Sequence, residues 1–141
     1  MSLKPVRTFI KNRLAETNTG FREHKDGFNR DDIPRSLLNK SYFIDVVGTN
    51  HSANENGYVE DKVSAKIELF YKGFRTVQTS IDNAMDEAHQ FRLRACNPSK
   101  ATGAIRSVVV DSIDVDPLSE TNDNSIIVTI NLSVTAVFAV I

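Results

Sequence analysis

The 141-residue chain has one cysteine, no tryptophan, four prolines and six glycines. The lone Cys96 excludes an intrachain disulfide framework and any zinc site built from the cysteines of one chain. No apolar run of about 18 residues free of charge occurs, which excludes an ordinary membrane-spanning helix. The opening Met1-Ser2-Leu3-Lys4-Pro5 lacks the apolar stretch of a secretory signal. The expected setting is therefore a reducing cytoplasm, or a larger particle assembled there. No Gly-x-x-x-x-Gly-Lys-Ser/Thr, Gly-x-Gly-x-x-Gly, His-Glu-x-x-His, Gly-x-Ser-x-Gly or Cys-x-x-Cys occurs. The three histidines are scattered: His24 and His51 fall in expected loops, and His89 on the polar side of a helix. No catalytic residue is assigned on this basis, and neither a cofactor nor a resident metal is expected. An excess of positive charge is also missing, with 17 Lys and Arg against 18 Asp and Glu, which argues against a dedicated nucleic-acid binder.

What is present is ordinary for a folded domain: 40% hydrophobic and 25% charged residues. The length sets a single domain over 1–141. Charge is unevenly placed along it. Residues 1–40 hold nine Lys or Arg against five Asp or Glu. From Ser107 onward there are five acids, Asp111, Asp114, Asp116, Glu120 and Asp123, and no Lys or Arg. A basic front and an acidic back can meet within one fold, meet between neighbouring copies, or form two solvated faces.

Lys4 to Ala15 reads as an amphipathic helix. Pro5 suits its first turn, and Val6, Phe9, Ile10 and Leu14 recur at helical spacing. Residues 17–40 form a long polar connection, of a length unusual in a compact domain unless it docks or functions. Asp31-Asp32-Ile33-Pro34 would open one helical turn there through Leu38. Tyr42 to Val47 reads as a strand, residues 49–58 as a polar loop, and Val59 to Lys72 as a second strand. Val63, Ala65, Ile67, Leu69 and Tyr71 alternate with polar residues in that strand, whose polar face only Phe70 interrupts. Thr76 to Leu93 is the clearest helix, with Val77, Ile81, Ala84, Met85, Ala88 and Phe91 on one face.

Ile105 to Val115 and Ser125 to Ile141 complete the pattern as two strands. In the last, Ile126, Val128, Ile130, Leu132, Val134, Ala136, Phe138 and Val140 form an unbroken apolar row at period two. Ile127, Val137, Ala139 and Ile141 make its other face apolar at both ends. A strand that long would span about 56 Å, beyond the usual range. Either a bulge bends it under the helices, or its end, with Val137, Phe138 and Ile141, is covered by another copy or a partner. The expected fold is α+β in the order α-β-β-α-β-β. It has a four-stranded, mainly antiparallel sheet of long hairpins, with the helices on one face. The N-terminal helix and polar connection occupy 1–40, and a ββαββ core occupies 41–141.

The acidic set has two readings. Asp114 and Asp116 share strand parity, while Asp111 falls on the other parity. With Glu120 or Asp123 they make a weak calcium set. The same carboxylates also read as a solubilising hairpin end that blocks edge pairing.

The whole pattern resembles the bacteriophage tail terminator family that includes the lambda tail terminator. The resemblance lies in the helix over Pro5–Leu14, the crossing through Asp31-Asp32-Ile33-Pro34, the strand entry Tyr42-Phe43-Ile44, the hairpin ending at Tyr71, the helix Thr76–Leu93 and the C-terminal strand pair. It is a likeness of element order, length and texture, and no catalytic motif is carried over. It implies a virion structural protein, not an enzyme, assembled in the host cytoplasm into a homo-oligomeric ring, commonly a hexamer. The ring would cap the tail tube, end tube polymerisation and dock the head or neck. Its expected partners are further copies of itself, the tail tube protein and a neck or head-completion protein. Genome DNA would pass through its channel without specific binding, and no membrane is involved. Arg7, Lys11 and Arg13 are candidate contacts to an acidic patch on a neighbour, and Asp114, Asp116, Glu120 and Asp123 to a basic one. The alternatives are another neck component, such as a head–tail joining or connector-adaptor protein, and more distantly a non-viral oligomeric adaptor or a small-ligand-binding α+β domain.

Overall fold

The computed structural model describes residues 3–17, 20–23, 40–55, 57–71, 77–117 and 125–139. The elements run α1 (Lys4–Thr17), β1 (Arg22–Glu23), β2 (Ser41–Glu55), β3 (Tyr58–Tyr71), α2 (Val77–Ala95), a 3-10 turn (Pro98–Lys100), β4 (Ile105–Pro117) and β5 (Ile126–Ala139). The strands form one sheet in the order β1-β2-β3-β5-β4.

The class is α+β, but the expected sheet and element order are corrected. Among the described residues the sheet has five strands and is mixed, because β1 pairs parallel with the start of β2, Arg22 opposite Ser41 and Glu23 opposite Tyr42. This strand lies inside the long polar connection over 17–40, in which the sequence predicts no strand, and the order becomes α-β-β-β-α-β-β. Two residues carry no periodicity that a sequence pattern can register. Tertiary contacts hold them instead. The Arg22 amide donates to the Lys40 carbonyl at 2.9 Å. The Phe21 ring meets Tyr71 edge-on at 5.1 Å.

A second correction concerns the loop expected over 49–58. β2 continues through Glu55, and the β2–β3 pairing runs to Glu55 opposite Tyr58. Gly57 turns the chain there at φ +79°, a left-handed conformation that glycine adopts without a Cβ penalty. Polar residues hid the strand because its outer edge faces solvent and its pairing comes from β3.

Burial follows the period-two rows. Ile126, Val128, Ile130, Leu132, Val134 and Ala136 of β5 are buried, as are Val63, Ala65, Ile67 and Leu69 of β3. They form one core cluster with Val6, Phe9, Ile10 and Leu14 of α1 and Ala84, Ala88, Phe91 and Ala95 of α2. The helices therefore pack on one face. Each fully buried large side chain in these rows contributes about 1.5–3 kcal/mol. The alanines of α2 let the helix approach the sheet closely, while Met85, expected on the apolar face, is 37% exposed. Phe70, which interrupts the polar side of β3, is buried outside that cluster.

The length of β5 resolves without a bulge in β5 itself. It pairs with β3 without a register break from Tyr58–Ala139 to Tyr71–Ile126. The irregularities fall in the outer strands: between Val46 and Gly48 and between His51 and Asn54 in β2, and between Ile105 and Ser107 and between Val110 and Ser112 in β4. Bulges at edges twist the strands and discourage uncontrolled pairing.

Candidate interaction surface

Three surfaces carry the residues singled out in the sequence. The first is the basic side of α1. An Arg7 guanidinium nitrogen donates to the Ile44 carbonyl at 3.2 Å, tying α1 to β2. Lys11 Nζ lies 2.8 Å from Glu23 Oε2, which ties α1 to β1. Arg13 pairs with Glu16 one helical turn on at 3.0 Å and lies over the Phe9 ring at 5.0 Å. Glu16 also receives Lys100 Nζ at 3.5 Å, and its carbonyl accepts from Arg94. Arg7, Lys11 and Arg13 thus have partners inside their own chain, on β2, β1 and α1. Burial raises the Tyr42 phenol above its ordinary pKa; Glu23 raises it further and Lys11 partly offsets both.

These pairs differ in weight. The Lys11 side chain is 40% exposed and that of Arg13 12%. Lys11→Ala is expected to cost less than about 1 kcal/mol. Arg13→Ala is expected to cost about 1–3 kcal/mol, because it takes the shorter of two ion pairs from a partly buried Glu16 and leaves it Lys100 at 3.5 Å. Urea unfolding of the two variants measures the difference. Charge reversal at Lys11 is consequently a cleaner assembly test than reversal at Arg13.

The second surface is the sheet face turned away from the helices, together with the β4 edge. Along β5 it presents Thr129, Asn131, Ser133 and Thr135. Lys62, Ser64, Lys66 and Glu68 of β3 lie beside them, with Lys66 Nζ 3.2 Å from Glu68 Oε1. On β4, Asp114 pairs with Thr129 and Asp116 with Ile127. Simple alternation puts Asp111 on the opposite face from these two. The bulge between Val110 and Ser112 adds one residue and reverses that parity. Ser133 Oγ donates to Asp111 Oδ2 at 2.8 Å, so Asp111 joins Asp114 and Asp116 on the face turned away from the helices. Asn131 Nδ2 likewise donates to Ser112 Oγ at 3.0 Å. Glu120 and Asp123, the other half of the weak calcium set, lie outside the described residues. Among the described residues no group of three or more His, Cys, Asp or Glu side chains is placed to hold a metal.

The third surface is the end of the sheet. β4 reaches only to Ile105 opposite Ala136, while β3 and β5 pair on to Tyr58 opposite Ala139. Val137 is half-buried, and its amide donates to the Ala104 carbonyl at 2.8 Å. Phe138 is half-buried against the core, and Tyr58 is 52% exposed. Ile141 lies outside the described residues, as does the helical turn expected over Asp31–Leu38. Beneath this end sits a pair that the sequence reading missed. His51 Nδ1 donates to Asp61 Oδ1 at 2.8 Å, and Asp61 is 1% exposed. Asp61 shares the parity of Val63 and Ala65, so an acid in an apolar row was the available signal.

The chain matches no family model and no curated protein. No described helix is long and apolar enough to cross a membrane.

Proposed function

We propose that this chain is a ring-forming virion subunit of the tail-terminator kind, which caps the tail tube and offers a docking surface to the head or neck. The observation that carries the reading is the sheet end. There β3 and β5 run past β4 and leave Tyr58 exposed and Val137 and Phe138 half-covered. An apolar strand end of that kind is stable in water when a neighbour covers it. Ring closure joins two unlike patches of one subunit. The sheet end supplies one, and the α1 surface with Lys11 supplies the other. The polar sheet face suits a subunit whose work is contact with self, tube and neck.

Native mass spectrometry over a concentration series tests this. Six copies of a 15.7 kDa chain give a species of about 94 kDa. Tyr58→Asp, at an exposed position, is expected to shift that species toward the monomer without changing the fold. Purified tail tubes mixed with the protein should acquire a cap. Binding to tail-less heads in place of tubes would move the protein to another neck layer. A monomer or dimer at every concentration that also fails on tubes and heads overturns the proposal.

A further inference from the structure

Among the described residues β4 has one strand neighbour, β5, so its outer edge carries backbone donors and acceptors with no strand opposite. A groove of about 450 Å³ runs beside that edge, between β4 and α2. Val110 and Ile113 line it from the strand, and Met85, Asp86, His89 and Arg92 from the helix. An open sheet edge beside a helix groove is the arrangement in which an extended segment adds as a further strand. Backbone hydrogen bonds supply affinity there, and pockets for alternate side chains supply specificity. A strand added to β4 sends alternate side chains to opposite faces. One set enters the groove against Met85, Val110 and Ile113. The other set lies on the face turned away from the helices, beside the exposed Asp114 and Asp116.

We propose that the β4 edge docks an extended segment of a partner protein in which apolar residues alternate with Lys or Arg. Charge selects this occupant. The groove and the half of the edge beside it present the carboxylates of Asp86, Asp111, Asp114 and Asp116 against the guanidinium of Arg92, and the arginine of β4 itself, Arg106, stands at the far end of the strand. From Asp111 to Pro117 the strand holds no cation. Charge also rejects a second copy. The other long edge of the sheet, β2, holds Asp45 and Glu55 and no Lys or Arg, and pairing the Asp111–Pro117 halves of two β4 strands, the part beside the groove, sets acid against acid. Like charges placed directly opposite destabilise a strand pair. The proposal goes beyond the ring and does not depend on it.

The probe is a fluorescently labelled nine-residue peptide alternating Lys and Val, with its Glu and Val counterpart as control. The Lys peptide is expected to bind the full-length protein, slow amide exchange along Ile105–Pro117 and shift the Met85 and His89 signals. The double variant D114K/D116K, both positions exposed, is expected to bind at least about tenfold more weakly with an unchanged circular dichroism spectrum. Equal binding of the two peptides overturns the proposal, as does D114K/D116K binding that matches wild type. Binding that leaves the β4 amides unprotected also overturns it, because charge attraction alone then explains the affinity. β4 amides already protected in a multimer of the free protein would assign the edge to a second copy and overturn it too. Solution mass reads the ring and peptide binding reads this site, so the two fail separately.

Discussion

Phe91→Ala is expected to lower the unfolding free energy by about 3–5 kcal/mol and the melting temperature by on the order of 10–20 °C. Phe91 is fully buried and stands on α2 in line with Ala84, Ala88 and Ala95. Those neighbours are small, so most of the apolar volume that α2 puts into this stripe is one ring. Removing it leaves a cavity that alanines cannot collapse into. The helix then loses its hold on the sheet, and Met85, His89 and Arg92 on its other side lose their position over β4. Met85→Ala, at a 37% exposed site, is expected to change stability by no more than about 0.5 kcal/mol. Thermal melts of both variants test the pair. A Phe91 variant within about 1 kcal/mol of wild type would mean that α2 is not docked as the structure has it.

The core was legible because its rows obey simple periods. The β5 row from Ile126 to Ala136 and the α1 set Val6, Phe9, Ile10 and Leu14 are buried as patterned. What the sequence hid has identifiable causes. β1 is two residues long and exists through its pairing with β2, so nothing local announces it. The outer half of β2 is polar because it is an edge, and polarity reads as loop. Asn56-Gly57, the strongest short hairpin signal, marks where the turn lies and would have extended β2 to meet it. The placement of Asp111 failed on the Val110–Ser112 bulge, since one inserted residue reverses every later parity. Of the expected interface residues, the cations Arg7, Lys11 and Arg13 were readable as a basic helix. The Arg13–Glu16 pair is local to α1, but the partners of Arg7 and Lys11 required the tertiary placement of the Ile44 carbonyl and Glu23. The β4 groove had no sequence signature, because its walls come from segments about twenty residues apart.

His51→Ala is expected to destabilise the protein by about 1–3 kcal/mol, whereas Asp61→Val is expected to be neutral or stabilising. The asymmetry follows from burial. Asp61 is 1% exposed and stands on β3 in the row of Val63 and Ala65, opposite Ala136 on β5. His51 holds one carboxylate oxygen, and the other, Oδ2, is buried with no hydrogen-bond partner. Deleting His51 leaves both oxygens without a protein donor in an apolar setting. Replacing Asp61 by valine removes the group that needed solvating and continues the apolar row. In the Asp61→Val background His51→Ala should then cost little, and urea unfolding of the four proteins isolates the coupling. Equal, small costs of His51→Ala in both backgrounds would show that water already serves the carboxylate. A pair that does not maximise stability can still fix register. A one-residue slip of β2 on β3 would carry Asp61 away from His51 and strand the acid. The pair therefore pins the hairpin end that the ring proposal uses. An Asp61→Val protein of full stability that no longer forms the ring would assign it that role. One that still forms the ring would leave the pair a local register device.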